Sequence, residues 1–476
     1  MESNLNYFNF KKIGSKFLLT NDTGRYIFLN TEEFEKLINN DYMTDKELTY
    51  KLAENYFVYN SHREVFIDNV SAEVRNSKSY LFEGTQLHIF ILTGECNQFC
   101  IYCQASAKCH SHKDRYMTFD TAEKAVDVAL QSPSKNLTFE FQGGEPLLNF
   151  EVLRHIIKYT NYKNTSLQKQ ITFNLVSNLI ALDENILRFL LSNKVNVSTS
   201  IDGPEFLHKM NRPSNVPYFY KRIKESIRAI NKLHIESDNQ SNGVQAIQTT
   251  TKHSLKYPKE IVDEYISLGF NSVFLRPLTP LGFAKQNWDK IGYTPEEYLE
   301  FYQKALEYII ELSMNQNINI SESYATILLR KIISTAPLNF MELRSPCGGS
   351  IGQLAYNYDG LIYSCDEGRM LAESGDASFK LGNVFENDYK DLISSPVTRA
   401  ICISSCLETV PGCSECVYNP YCGICPIFNY VQGGSIFSIM PANYKCKINK
   451  GILDFIFSKL CTNDKRIISV FEKWIN

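Results

Sequence analysis

The chain has 476 residues, enough for two or three domains with large cores. Apolar residues make up 44%, charged residues 21%, and the net charge is −3, so a globular protein without a basic nucleic-acid surface is expected. The opening Met1-Glu-Ser-Asn-Leu-Asn6 lacks the basic and apolar regions of a signal peptide, and no apolar run reaches membrane-span length. The expected location is the cytoplasm, where 14 cysteines are better explained by metal than by disulfides.

Residues 1–85 read as a small unit of their own. Phe8 to Leu19 and Arg25 to Leu29 have strand character and are joined by the turn Asn21-Asp-Thr-Gly24. A helix opens at Thr31 and runs through Ile38. A second starts at Thr44, with Glu47 as its capping-box partner. Strands followed by helices resemble the winged-helix unit with which peptide-modifying enzymes hold a leader peptide. A cap that only covers a barrel end has the same topology.

From residue 86 to 316, strand and helix patterns alternate. The strands are expected at 87–93, 137–142, 170–177, 195–201, 244–250 and 272–276. Amphipathic helices are expected near 118–131, 149–160, 183–193, 218–235 and 256–268. Asp120 and Glu123 look like a capping pair for the first of them. Thr294-Pro-Glu-Glu297 opens a sixth helix with proline in its first turn. Six such units imply a parallel sheet with right-handed crossovers.

The first strand runs into Cys96-Asn-Gln-Phe-Cys100-Ile-Tyr-Cys103. Three thiolates can hold three irons of a [4Fe–4S] cubane and leave the fourth open. A structural zinc site would need a fourth ligand, and none stands at the usual spacing; Cys109 is the nearest further thiol. Three more strand ends carry polar strings: Gln142-Gly143-Gly144-Glu145-Pro146, Ser177-Asn178, and Ser200-Ile-Asp202-Gly-Pro204. Arg212 follows in Leu207-His208-x-x-Asn211-Arg212, and Arg276 ends the sixth strand. Strand ends are where α/β folds place their chemistry.

Residues 317–345 form a bridging segment with one helical stretch, and 447–476 a helical tail. Between them, residues 346–446 hold the other cysteines. Cys347, Gly360 and Cys365 come first, then Cys413-x2-Cys416-x5-Cys422-x2-Cys425-Pro426, and then Cys446. A zinc ribbon would separate its pairs more widely.

The spacing Cys-x3-Cys-x2-Cys with the Gly-Gly-Glu-Pro string resembles the radical S-adenosylmethionine (SAM) enzymes. That resemblance implies a partial (β/α)6 barrel. It also implies that the open iron chelates the methionyl amino and carboxylate groups and that an electron then releases a 5′-deoxyadenosyl radical. It assigns Gly143, Gly144 and Glu145 to the methionyl ammonium. Ser177, Asn178, Ser200 and Asp202 go to ribose and carboxylate contacts, and Arg212 to the methionyl carboxylate. The C-terminal cysteines resemble the SPASM extension, which carries two auxiliary [4Fe–4S] clusters. The first would take Cys347, Cys365 and Cys425, with Cys406 or Cys402 as fourth ligand, or an open iron. The second would take Cys413, Cys416, Cys422 and Cys446. The last interval of the quartet is two residues where the family has three.

Longer strings resemble the B-type radical maturases of His-Xaa-Ser peptide systems: Phe139-Glu-Phe-Gln-Gly-Gly-Glu-Pro146, Phe274-Leu-Arg-Pro-Leu278 and Cys365-Asp-Glu-Gly-Arg369. The partners this implies are a ribosomally synthesised precursor peptide, a second radical SAM maturase and a flavodoxin- or ferredoxin-type electron donor. Asp366 stands where sulfatase maturases carry a proposed base; an aspartate capping a turn reads the same way. The alternatives are a radical enzyme of another kind, such as a peptide epimerase, a sulfatase-maturase-like enzyme or a small-molecule enzyme, and a non-catalytic iron–sulfur electron carrier.

Overall fold

A computed structural model describes residues 4–59, 62–107, 113–236, 243–334 and 337–476. Cys109 and residues 335 and 336 of the bridging segment lie outside the described residues. Among the described residues thirteen strands appear in order: β1 Asn9–Ile13, β2 Lys16–Thr20, β3 Tyr26–Leu29, β4 Leu87–Ile91, β5 Asn136–Gln142, β6 Gln170–Val176 and β7 Asn196–Ser200. They continue with β8 Gln245–Thr249, β9 Ser272–Arg276, β10 Ser321–Glu322, β11 Gln353–Tyr356, β12 Leu361–Tyr363 and β13 Lys380–Asn383.

The six expected β/α units are present. Strands β4 to β9 are parallel neighbours in chain order, and the helices Phe119–Leu130, Phe150–Leu167, Glu184–Ser192, Phe219–Glu236 and Pro258–Ser267 connect them. This is the open, parallel arrangement of a partial barrel. The alternation in β5 shows how its wall is built. Leu137, Phe139 and Phe141 are buried against the helices, while Thr138, Glu140 and Gln142 are half-buried on the inner face. In β7, Ser198 and Ser200 share that inner face, as do Phe274 and Arg276 in β9.

The sheet does not stop at the barrel. β11 pairs parallel to β4 with Leu354 opposite His88, and β12 and β13 follow it antiparallel, so ten strands form one sheet from β10 to β13. The cysteine-rich segment thereby shares hydrogen bonds with the strand that leads into the cysteine triad. The helix Asp366–Ala372 packs on this extension.

At the other end of the chain, β1, β2 and β3 form an antiparallel sheet with a core of Leu19, Ile27, Leu29 and Leu37. It is fastened to the C-terminal part. The Thr20 hydroxyl donates to the Val417 carbonyl at 2.7 Å, and the Tyr421 hydroxyl to the Gly24 carbonyl at 2.9 Å. Tyr26 packs edge-on to Phe457.

Helix starts are set by short polar side chains. The expected sixth helix starts at Pro295, and Thr294 and Glu297 add a capping box there. Two expected caps are replaced by a neighbour. Thr118, not Asp120, caps the helix Phe119–Leu130, and Asp45, not Thr44, caps Lys46–Glu54, because each oxygen reaches the amide three residues on. No helix among the described residues is long and apolar enough to cross a membrane.

Candidate functional site

After β4 the chain turns at Gly94, where any Cβ would run into the Arg115 guanidinium. The loop carrying Cys96, Cys100 and Cys103 is then pinned from two sides. The Phe99 and Ile101 amides donate to the Pro213 and Asn211 carbonyls at 2.8 and 3.0 Å. The Phe283 amide donates to the Cys103 carbonyl at 2.9 Å, and Asn287 Nδ2 to the Ile101 carbonyl at 2.7 Å. Burial pushes the Cys96 thiol well up, and the neighbouring Cys100 and Cys103 add to this. Burial likewise pushes Cys100 up to about 12, against the pull of Arg212. Buried thiols in this state ionise when a cation takes the charge, which an iron cluster does. Among the described residues no three His, Cys, Asp or Glu gather around a single-ion position. Thiolates on a cubane bind separate irons and stand wider apart than ligands around one zinc. Three thiols on one loop suit a cubane with one open iron, whereas a structural zinc takes four protein ligands.

The Gly143–Glu145 string lies directly against this loop. The Gly144 and Glu145 amides donate to the Thr93 and Glu95 carbonyls, both at 2.8 Å. A Cβ on Gly143 would meet the Thr93 carbonyl oxygen, and one on Gly144 the Glu95 carbonyl oxygen. The two glycines thus permit a backbone-to-backbone approach between strand ends. Glu145 is fully buried, and its oxygens accept from the Leu147 amide (3.0 Å), the Ser177 hydroxyl (2.7 Å) and the Asn178 amide (2.8 Å). Burial raises its carboxyl to about 7. The expected ammonium contact falls on a side chain whose oxygens already tie β5 to β6. Ser177 is part of that tie. Asn178 reaches the cysteine loop, with Nδ2 at 2.7 Å from Asn97 Oδ1 and 3.8 Å from Cys96 Sγ.

Asp202 and Arg212 form a second tie. Asp202 is fully buried and accepts from the Tyr102 hydroxyl (2.7 Å), Arg212 Nε (3.1 Å) and the Thr249 amide (3.3 Å). Arg212 places Nη1 3.9 Å from Cys100 Sγ, and its guanidinium lies over the Tyr102 ring. Burial works against its charge, but Asp202, Tyr102 and Cys100 together outweigh this and hold the guanidinium protonated. Asp202, expected among the ribose and carboxylate contacts, accepts from these protein donors, and Arg212 lies beside the thiols. Ser200 remains half-buried on the inner face.

Asp366 begins the helix that follows Cys365. It is 8% exposed, and its Oδ1 accepts from Arg369 Nε and Nη2 at 3.0 and 2.6 Å. Arg369 is held protonated by this partner despite its burial, and Cys103 lies near enough to act on it. Asp366 in turn acts on Glu140 of β5 and on Arg276 of β9. The carboxylate next to Cys365 therefore lies within electrostatic reach of the barrel's inner face. Arg276 binds Glu342 at 2.9 Å, and Lys445 binds the same carboxylate at 3.0 Å.

Seven of the remaining cysteines sort into two groups. Cys347, Cys365 and Cys425 share one apolar cluster and act on one another electrostatically. Cys413, Cys422 and Cys446 pack in another, with Cys416 acting on all three. Burial raises the thiols of Cys347, Cys365, Cys413, Cys422, Cys425 and Cys446. Cys406, expected as a fourth ligand of the first group, lies past the helix Pro396–Ser405 beside Glu408 and Lys78, and Cys402 lies beside Cys406 and Arg344. Neither belongs to the apolar cluster that holds the trio.

The sequence reading missed Tyr102, Arg115, Glu140 and Arg369. Arg369 carried a signal, since a cation three residues after an aspartate on a helix shares its face. Arg115 bridges Glu373 at 3.2 Å, 258 residues away, and Tyr102 bridges Asp202, 100 residues away; no local pattern announces either.

Residues 90–244 match the Radical SAM superfamily. A cysteine-type anaerobic sulfatase-maturating enzyme of Clostridium perfringens is 24% identical over 382 residues, covering 77% of this chain and 94% of that enzyme. Native anSMEcpe, solved with bound AdoMet and Kp18Cys peptide, superposes with a TM-score of 0.65 at 20% identity, covering 79% of this chain and 99% of that one. SuiB of Streptococcus suis, solved with precursor peptide SuiA, gives 0.54 at 14% identity, covering 91% and 98%. The chain has the α/β radical SAM fold, and that fold implies SAM and a [4Fe–4S] cluster as cofactors.

Proposed function

We propose that this protein is a radical SAM/SPASM peptide maturase that modifies a ribosomally synthesised precursor, with the His-Xaa-Ser repeat type as the specific substrate class. One observation carries the reading. The loop of Cys96, Cys100 and Cys103 is braced at the sheet's C-terminal edge by Asn178 and Arg212, each of which points a polar N–H at one of its sulfurs. When bound, the cluster and SAM supply a one-electron reduction that releases a 5′-deoxyadenosyl radical. Asn178 and Arg212 orient the triad and offset its negative charge, and Asp202 holds Arg212 in place. Asp366, next to Cys365, would take a proton from the substrate radical while an auxiliary cluster held by Cys365 would accept its electron. Arg369 fixes one oxygen of that carboxylate.

Two further parts rest on the residues alone. Cys347, Cys365 and Cys425 would hold the first auxiliary cluster, and Cys413, Cys416, Cys422 and Cys446 the second. Residues 1–85 would hold the leader, with residues 346–446 as the SPASM domain. The two relatives solved with peptides support a peptide substrate here. The His-Xaa-Ser assignment is supported by the sequence strings. The test is anaerobic incubation of the reconstituted protein with SAM, dithionite and a His-Xaa-Ser repeat precursor, followed by mass spectrometry. A mass change on the peptide, with 5′-deoxyadenosine, is expected; deoxyadenosine with an unaltered peptide would reject this substrate class.

A further inference from the structure

Of the carboxylates around the barrel's inner face, four are paired with a cation. Asp202 has Arg212, Asp366 has Arg369, Glu373 has Arg115, and Glu342 has both Arg276 and Lys445. Glu145 is satisfied by three protein donors. Glu140 differs. It stands in β5 opposite Ile89 of β4 and Asn174 of β6, on the half-buried inner face. Its donors are neutral amides: Gln142 Nε2 at 2.5 Å and the Asn174 side chain. Among the described residues it makes no salt bridge. Arg276 acts on it but is committed to Glu342 at 2.9 Å and lies 3.9 Å from Glu367. The like charge of Asp366 also acts on it.

Burial without a cation favours the protonated form of the Glu140 carboxyl, and a cation brought to it would favour the carboxylate. We propose that Glu140 is a substrate-binding residue, which receives a cationic side chain of the bound peptide on the inner face of the barrel. The inference rests on the peptide reading above and adds a residue and a ligand chemistry to it. An incoming ammonium, guanidinium or imidazolium would complete a charge-assisted hydrogen bond there, within reach of Asp366. The methionyl ammonium of SAM carries the same chemistry, so the test separates the two sources.

The probes are two acetylated and amidated pentapeptides, Ala-Gly-Xaa-Gly-Ala, with lysine or norleucine at Xaa. Their binding to the reconstituted, SAM-loaded full chain is measured by calorimetry. The wild type is expected to bind the lysine peptide about tenfold more tightly. Glu140→Gln should bring the two within about twofold, with Glu140→Asp between. Iron content and melting temperature report whether each variant folds. Equal binding of both peptides to the wild type overturns the inference and needs no variant. A lysine preference that survives in Glu140→Gln also overturns it. Loss of SAM affinity with that preference intact assigns the carboxylate to the cofactor. If the wild type binds neither peptide, the peptide reading fails as well.

Discussion

Arg212 donates through Nε to Asp202 at 3.1 Å while its Nη1 lies 3.9 Å from Cys100 Sγ. The pair is buried, so each charge depends on the other. Removing one partner of a buried pair leaves the second uncompensated, at a cost of about 3–5 kcal/mol. Asp202→Ala should therefore lower the melting temperature and the iron retained after reconstitution. Tyr102→Phe removes one O–H donor from the same carboxylate and should cost only about 1 kcal/mol. Melting curves and iron assays of the two variants side by side check the order; equal losses would show that Asp202 does not depend on its cation.

Glu322 gives a pH dependence away from any cysteine. It is fully buried and accepts from the Tyr302 hydroxyl (2.5 Å), the Ala325 amide (2.6 Å) and the Leu275 amide (3.1 Å). Burial raises its carboxyl from 4.5 to about 7 despite these donors. The folded state thus holds the proton more tightly than the unfolded one. Its stabilising contribution is full below about pH 4.5 and is lost as pH rises toward and through 7. Melting temperature should fall between pH 5 and pH 8, and Glu322→Gln should flatten that fall while lowering stability overall. An unchanged slope in the variant would place the dependence elsewhere.

Asp366→Asn keeps the shape but cannot accept a proton at neutral pH. Deoxyadenosine should still form, while modified peptide falls by roughly a hundredfold, as for other positioned bases. Arg369→Lys would test the hold on that carboxylate, since it replaces a two-point contact with a single ammonium. An intermediate product-to-deoxyadenosine ratio is expected. A wild-type ratio in Asp366→Asn would make Asp366 a structural helix-start residue.

Much of this architecture was legible in the sequence. The six β/α units could be located because a switch between two-residue and helical periodicity is a local signal. The cysteine spacing was local too, whereas the division of Cys347 to Cys446 into two ligand sets came from the family resemblance. Motifs could not say which way their polar atoms face. Nothing local announced that Glu145 and Asp202 also tie neighbouring elements together through buried hydrogen bonds. The extension of the barrel sheet by β11 to β13 was hidden for another reason. Those strands are three or four residues long, and β11 pairs with a strand more than 260 positions earlier.

The outer edge of β3 has no strand partner among the described residues, and Lys51 Nζ donates to the Phe28 carbonyl at 2.8 Å. If the unit holds a leader by strand addition, precursor binding should slow hydrogen exchange at the Tyr26–Leu29 amides by about tenfold or more. Exchange that ignores the precursor would favour the cap. Deleting the whole unit is a poorer test, because Thr20, Gly24 and Tyr26 are fastened to the C-terminal part.

The central claim is that Cys96, Cys100 and Cys103 hold the cluster that cleaves SAM. The most direct measurement is 5′-deoxyadenosine formed by the anaerobically reconstituted full chain with SAM and dithionite, wild type beside a triple Cys→Ala variant at these positions. The wild type should carry about twelve irons as three cubanes and release deoxyadenosine. The variant should lose about a third of the iron and all of the deoxyadenosine. Deoxyadenosine from the triple variant would contradict the account.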